Sequence, residues 1–433
     1  MENYKNLTQK QRSFFRSGKT KNVQFRINTL NKLRELILSN EKEILKGLKD
    51  DLNKPEAEAF RTEIKLVLGE IDFTLDNLVS WASPREVETP SSHVGSTSYI
   101  YPEPFGVALI IAPWNYPFQL ALAPLVGAIA AGNCAVLKPS ELTPHTSRIL
   151  AKIINANFPE EYICVVEGEI ETSTALLKEK FDHIFFTGST MVGKVVAEAA
   201  AKNLTPVTLE LGGKSPCIVH EDADLEEAAT RIIRGKFLNA GQTCVAPDYL
   251  LVQRSVKEKL LDKLKEVISN TYGEDISQNL DFPRIINEKH FNRLKQYLDN
   301  GNLVTGGKAD LSRLFIEPTI LDNISWEDPV MQDEIFGPIL PVLEYDDVSE
   351  IIHIIVERPK PLALYLFSES EVVQNSILSN ISFGGGSIND TLSHMTSHYL
   401  PFGGVGESGM GAYHGKGSFD TFSHFKSILK RSK

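Results

Sequence analysis

Cysteine is scarce in this sequence. Four occur, at positions 134, 164, 217 and 244, widely scattered and without a C-x-x-C pair. That excludes a disulfide-stapled scaffold and points to a reducing compartment. A basic excess is also missing: 45 Lys and Arg stand against 56 Asp and Glu, a net charge of -11, which argues against nucleic acid as a partner. The start, Met1-Glu-Asn-Tyr-Lys-Asn, has no apolar run, so no secretory signal is expected and a cytoplasmic location is. Internal repeats and low-complexity linkers are absent as well. From Pro104 to Leu137 there is no charged residue, a stretch long enough to cross a bilayer. It contains four prolines, Asn115, Gln119 and Asn133, and reads as short strands around a helix, so a βαβ unit buried on both faces is expected there.

What is present fits an ordinary globular protein. The 433 residues suit about two to three domains, and 42% apolar with 23% charged residues leaves ample core. Helical spacing of Leu30, Leu33, Leu36, Ile37, Ile44, Leu45 and Leu48 predicts a long amphipathic helix over about 23–52, and a second is predicted over 57–81. Ser96–Pro104 alternates between prolines and reads as an edge strand or arm. Strands are then expected at 106–112, 133–137, 162–166, 183–186 and 207–211, with helices at 120–131, 145–157 and 171–179 between them. A second unit follows, with strands at 216–219 and 249–252 and helices at 225–238 and 256–272. Such alternation predicts an α/β fold of doubly wound parallel sheets, with ligands beyond the carboxyl ends of the strands. The glycine-rich stretch from 403 to 417 reads as loop before a short tail.

Asn239-Ala-Gly-Gln-Thr-Cys244 organises the chemistry. A lone Cys is most often a small buried hydrophobe. Here the thiol follows a turn of small residues, where backbone amides can approach whatever the sulfur attacks. Upstream, Glu210 closes an apolar strand before Gly212-Gly213-Lys214, a place where a base can face a nucleophile.

Three further segments sit at strand ends. Gly188-Ser-Thr-Met-Val-Gly193-Lys194 opens a helix after a strand and presents free amides to phosphate. It departs from G-x-G-x-x-G at Thr190 and from the P-loop at Val195, so it reads equally as a plain strand-to-helix turn. Lys138-Pro-Ser-Glu141 suits ribose hydroxyls, with the carboxylate disfavouring a 2′-phosphate, or else a solvated helix cap. Pro113-Trp-Asn115-Tyr-Pro117 holds an amide that can face a developing oxyanion, or an ordinary turn Asn. His394 and His398 are spaced i, i+4, but no acidic third ligand accompanies them, and no metal is expected.

PWNYPF, GNCAVLKPSE, FTGS, LELGGKSP, NAGQTC, EIFGPILP and PFGGVGESGMG, in this order over nearly the whole chain, resemble the aldehyde dehydrogenase superfamily. EPFG, APDY after the Cys, RPKPLALYLFS and FGGGSINDT resemble its class 3, fatty and aromatic aldehyde, branch. The resemblance implies Cys244 as nucleophile, Glu210 as general base, and Asn115 with the Cys244 amide as oxyanion site. It implies NAD, with NADP possible: Lys138 and Glu141 on the adenosine ribose, Gly188, Ser189 and Gly193 at the pyrophosphate, Glu334 on the nicotinamide ribose and Phe336 near the ring. Tyr116, Leu238 and Thr243 would line the channel of a medium- or long-chain aliphatic or aromatic aldehyde. It further implies two Rossmann-like domains, cofactor-binding at 1–83 and 105–209 and catalytic at 210–390, with a bridging and oligomerisation element at 84–104 and 391–433. A homodimer follows. Membrane-anchored relatives carry an apolar tail, and this sequence has none at Ser427-Ile-Leu-Lys-Arg-Ser-Lys433. A CoA-acylating enzyme and a catalytically silent homologue are the alternatives, and Glu210 argues for hydrolysis over transfer to CoA.

Overall fold

The computed structural model describes residues 4–273, 275–276, 279 and 282–431. Two doubly wound sheets and a small antiparallel one make up its frame. The first has six strands in the order Gly409–Met410, Val207–Glu210, His183–Thr187, Val107–Ile111, Cys134–Lys138, Ile163–Val165, parallel except for the two-residue strand at one edge. The expected apolar βαβ unit lies here. All thirteen residues of the helix Gln119–Ala131, Pro124 among them, are buried behind the central strands. The second sheet has seven strands in the order Asn302–Thr305, Thr319–Asp322, Ile339–Tyr345, Tyr249–Gln253, Pro216–Val219, Ala363–Phe367, Gly385–Ile388, parallel except for the first pair. Strand side chains covered on both faces explain why these segments read as continuous apolar runs.

The structure departs from the sequence reading at several places. The predicted helix over 23–52 divides at Asn40 into Val23–Ser39 and Glu41–Leu52. The Asn40 side chain donates back to the Leu36 carbonyl at 2.7 Å, competing there with its own backbone N–H, which reaches the same oxygen at 3.2 Å. Apolar spacing continues in phase across the break, so periodicity does not reveal it. A helix at Lys5–Arg16 was not expected, because its buried residues include Thr8 and Gln11. Gln11 Nε2 donates to the carbonyls of Ala135 and Glu160, both at 3.1 Å, so this helix docks through an amide as well as an apolar stripe. Ser96–Pro104 is a central strand, not an edge, in a three-stranded sheet with Arg85–Val87 and Ser423–Arg431. The short tail after the glycine-rich stretch, to which no element was assigned, contains a nine-residue strand, Ser423–Arg431. Its side chains after Ser423 are all exposed, so it lacks the buried alternating face that marks a strand. The segment 391–433, expected as one bridging element, is divided. Gly409–Met410 pairs with Val207–Glu210, and the helix Lys416–Thr421 packs on Gln119–Ala131.

The predicted helix over 57–81 forms, with one π-turn at Phe60–Ile64. Among the described residues, no helix is long and apolar enough to cross a membrane.

Candidate active site

The carboxyl ends of Val107–Ile111, His183–Thr187 and Val207–Glu210 open onto a cleft of about 690 Å³, closed on its other side by loops of the second sheet. Cys244, Glu210, Asn115, Gly188, Ser189, Glu334 and Phe336, remote in sequence, all line it. Lys138 and Glu141 stand at the end of the neighbouring strand outside the lining, where Lys138 Nζ donates to Glu141 Oε2 at 2.7 Å. Gly193 is covered by Leu211, whose Cδ2 would lie 2.5 Å from an added Cβ, so that glycine serves helix-to-strand approach. Tyr116, Leu238 and Thr243 are also off the cleft. The Tyr116 and Thr243 hydroxyls are bonded to each other at 2.7 Å, and Leu238 is half-buried where the turn begins.

The thiol turn is held by its own side chains. After the helix Leu225–Phe237 the backbone passes through three left-handed residues, Asn239 (φ 53°), Ala240 (φ 53°) and Gly241 (φ 74°). Two of them are not glycine, which costs about 1–2 kcal/mol each. Buried polar bonds offset that strain. Asn239 Nδ2 donates to the carbonyls of Asn115 at 2.9 Å and Gln242 at 3.2 Å, and its backbone N–H donates to Glu58 Oε1 at 3.0 Å. Gln242 Nε2 donates to Asn239 and Arg284 carbonyls, and Ile286 N–H donates to Gln242 Oε1, all at 3.0 Å. An added Cβ on Gly241 would meet the Gly337 carbonyl oxygen at 2.2 Å. Gly241→Ala is therefore expected to lower unfolding free energy by about 2–4 kcal/mol, from left-handed strain plus overpacking, as read by urea denaturation. A change below about 1 kcal/mol would contradict this geometry.

Cys244 is half-buried, whereas Cys134, Cys164 and Cys217 are buried. Burial pushes its thiol up to about 12, helped by the charges of Glu334 and Glu210 and opposed by the backbone N–H groups of Cys244 and Val245. Those two amides thus favour negative charge on the sulfur. Asn115 is 3% exposed, and its Nδ2 donates one hydrogen to the Gln242 carbonyl at 3.1 Å, leaving the second for a ligand.

Glu210 is 2% exposed, and neither carboxylate oxygen has a partner among the described residues. Burial with no donor holds its acid form well above the ordinary carboxylate range. Beside it in register lies Thr187, whose buried hydroxyl is equally unpartnered. Glu334 lies against Gly212, where an added Cβ would come 2.0 Å from Oε2. Burial, then the Asp248 charge, pushes the Glu334 carboxyl up to about 8, opposed by the Gly213 N–H, Lys214 and Arg293.

Sequence reasoning did not single out the clamp on the Glu334 loop. Arg293 donates to the Glu334 carbonyl at 3.1 Å and the Ile335 carbonyl at 2.6 Å. Asp248 accepts from the Ile335 N–H at 2.9 Å and from Lys214 Nζ at 2.5 Å, and Lys214 also bonds the Val330 and Asp333 carbonyls. Lys214 and Asp248 stand inside the LELGGKSP and APDY motifs, which was the available signal; Arg293 carries none. Phe336 (φ 51°) meets Trp114 edge-on at 5.3 Å across the cleft. His398 Nδ1 contacts the buried Glu70 at 3.0 Å, while His394 packs against Tyr365 and Phe402, so the two imidazoles do not form a pair.

The cleft fits a dinucleotide on its own features. Ser189 caps the helix Thr190–Ala201, whose first amides face the cleft mouth. Orphaned Thr187 and Glu210 oxygens, the apolar Trp114 and Phe336 walls and the Glu334 carboxyl supply polar and flat surfaces for its reactive end.

The aldehyde dehydrogenase family model matches residues 2–428. The chain is 51% identical over 423 residues to 4,4'-diaponeurosporen-aldehyde dehydrogenase of Staphylococcus aureus, spanning 97% of this chain and 92% of that protein. Two Rattus norvegicus proteins are each 48% identical. Aldehyde dehydrogenase family 3 member A2 aligns over 97% of this chain and 87% of its own, and the dimeric NADP-preferring aldehyde dehydrogenase over 100% and 95%. The substrate-bound Staphylococcus aureus AldH structure superposes with a TM-score of 0.98 at 49% identity, over 100% of this chain and 95% of that one. The chain belongs to the aldehyde dehydrogenase family, among relatives of its class 3 branch, and is an NAD(P)-dependent enzyme that oxidises an aldehyde to the carboxylic acid.

Proposed function

We propose that Cys244, Glu210 and Asn115 carry this oxidation for medium- to long-chain aliphatic or aromatic aldehydes. The observation that supports it most is their convergence, from three separate segments, on one cleft. An aldehyde carries no leaving group, so its carbon must first become tetrahedral. The Cys244 sulfur adds to the carbonyl, and the oxyanion is met by the Asn115 amide and the Cys244 N–H. NAD(P)+ supplies the hydride acceptor when bound. Lys138 and Glu141 would hold its adenosine ribose, Gly188 and Ser189 its pyrophosphate, with Gly193 letting the helix there lie close to Leu211, and Glu334 and Phe336 its nicotinamide end. Collapse of the oxyanion leaves a thioester on Cys244. Glu210 then takes a proton from water, which attacks the acyl carbon and releases the acid.

A relative named for a carotenoid aldehyde supports the substrate class, and Tyr116, Leu238 and Thr243, which lie off the described cleft, are proposed only as a lining of the substrate's approach to Cys244. The domain division is proposed as cofactor-binding at 1–83 and 105–209, catalytic at 210–390 and bridging at 84–104 and 391–433, with Gly409–Met410 of the last segment pairing in the first sheet. A homodimer is supported by the open outer edge of Ser423–Arg431, with Phe425, Ile428 and Leu429 exposed on that strand, and by a relative named as dimeric. A cytoplasmic location is proposed, supported by four scattered cysteines that suit a reducing compartment. NADH or NADPH formation with an aldehyde panel, with and without CoA, tests the reading. Activity only with CoA would favour acyl transfer, and none with any aldehyde would overturn it.

Glu141 should make NAD the preferred cofactor, its carboxylate repelling a 2′-phosphate, although one relative is named NADP-preferring. Glu141→Gln is expected to raise the NADP-to-NAD ratio of kcat/KM by roughly tenfold, the scale of one partly screened charge contact. A wild-type preference for NADP, or an unchanged ratio in the variant, would remove Glu141 from this role.

A further inference from the structure

Lys54 is the most completely buried cation near the site, 0% exposed, yet it belongs to none of the motifs above. It sits in the turn between the helices Glu41–Leu52 and Glu56–Ala59, after the left-handed Asn53. That turn is stitched to the second lobe, since Asn53 Nδ2 donates to the Phe282 carbonyl and the Arg284 N–H donates to Leu52, both at 2.9 Å. From there Lys54 Nζ donates to the Asn115 carbonyl at 2.8 Å and to Glu63 Oε1, and it stands 3.9 Å above the Tyr116 ring. Glu63, also 0% exposed, uses Oε2 to accept the N–H groups of Phe118 at 3.1 Å and Gln119 at 2.9 Å. These amides begin the helix Gln119–Ala131, whose cap residue Phe118 offers no acceptor of its own. One ion pair thus fixes both ends of the segment Asn115–Gln119.

Burying two charges costs several kcal/mol per ion, and an apolar pair of similar volume is often as stable or more so. Stability alone is therefore a poor account of a Lys and a Glu at this place. What the pair achieves that an apolar pair cannot is orientation of the Asn115 peptide. Among the described residues its carbonyl accepts from two side-chain donors, Lys54 Nζ and Asn239 Nδ2, the latter from the thiol turn itself. With the peptide fixed, the side-chain amide of Asn115 is aimed from a fixed base. We infer that Lys54, with Glu63, is a positioning residue for the oxyanion donor Asn115, acting through its backbone carbonyl. The inference rests on the role proposed above for Asn115.

A double-mutant cycle tests it on the full chain, with Lys54→Met, Asn115→Ala and the two combined. The readouts are aldehyde kcat/KM, hydrolysis of an activated nitrophenyl ester, which needs the thiol and oxyanion site but no hydride acceptor, and thermal midpoint. Asn115→Ala is expected to lose about 10²–10³-fold, the worth of one oxyanion donor. Lys54→Met is expected to lose about 10–100-fold in both reactions, with KM for NAD changed less than about twofold, since the donor is misaimed rather than removed. In the Asn115→Ala background the added loss should shrink below about threefold. A Lys54→Met enzyme within about twofold of wild type, or a loss of full size in the Asn115→Ala background, overturns the inference while leaving the proposed function standing. An Asn115→Ala enzyme as fast as wild type overturns both. Should Lys54→Met fail to fold, Glu63→Gln keeps an acceptor for the helix amides and carries the same cycle, with an expected loss of about 3–30-fold and the same non-additivity.

Discussion

Cys244→Ala is expected to lower aldehyde oxidation by roughly 10⁴-fold or more and to abolish hydrolysis of activated esters, because without the thiol no covalent acyl intermediate can form. Cys134 and Cys217 are 0% exposed and Cys164 is 4% exposed, so none can substitute for it. The thiol pK pushed up to about 12 gives the alkylation experiment its direction. Iodoacetamide should label the wild-type protein at one site only, faster as pH rises toward that value, since the thiolate is the reacting form. Intact-mass analysis should find a single adduct in wild type and none in Cys244→Ala. Substantial dehydrogenase turnover in the variant, or rapid labelling of a second cysteine in the folded protein, would remove Cys244 from the mechanism.

The difference between what was and was not legible in the sequence has a physical pattern. Parallel strands covered on both faces announced themselves as apolar runs, and the segments at their carboxyl ends carried a thiol, a carboxylate and an amide in recognisable company. Cys244, Glu210 and Asn115 were accessible for that reason. The strand Ser423–Arg431 was not, because it meets Ser96–Pro104 through backbone bonds and an exposed Lys426–Glu103 ion pair, with no buried face to impose a period. Lys54 and Arg293 were hidden differently. Each acts on carbonyl oxygens far along the chain, and a carbonyl is present at every position, so no residue type in the partner segment betrays the contact. Gly193 shows the converse. Its place in a glycine-rich loop suggested phosphate, whereas its immediate neighbour is the Leu211 side chain. A motif names a residue; only packing says which of its neighbours required it.

Glu210→Gln separates the two halves of the reaction. If Glu210 serves the water of deacylation alone, sulfur addition and oxidation proceed and the acyl group stays on Cys244. The variant is then expected to form one equivalent of NADH per site in a rapid burst and afterwards turn over about 10²–10⁴-fold more slowly than wild type, the usual worth of a general base. Quenched samples should show the acyl adduct by intact mass. The unpartnered, buried carboxyl adds a pH signature. Burial without donors favours the neutral acid, so the carboxylate that acts as base is reached only above the ordinary Glu range. Wild-type deacylation should accordingly rise with pH through the shifted value, and Glu210→Gln should lose that rise. Should Glu210 also deprotonate the thiol, the burst itself would slow together with turnover and no adduct would accumulate. A variant turning over at the wild-type rate would exclude Glu210 from either step.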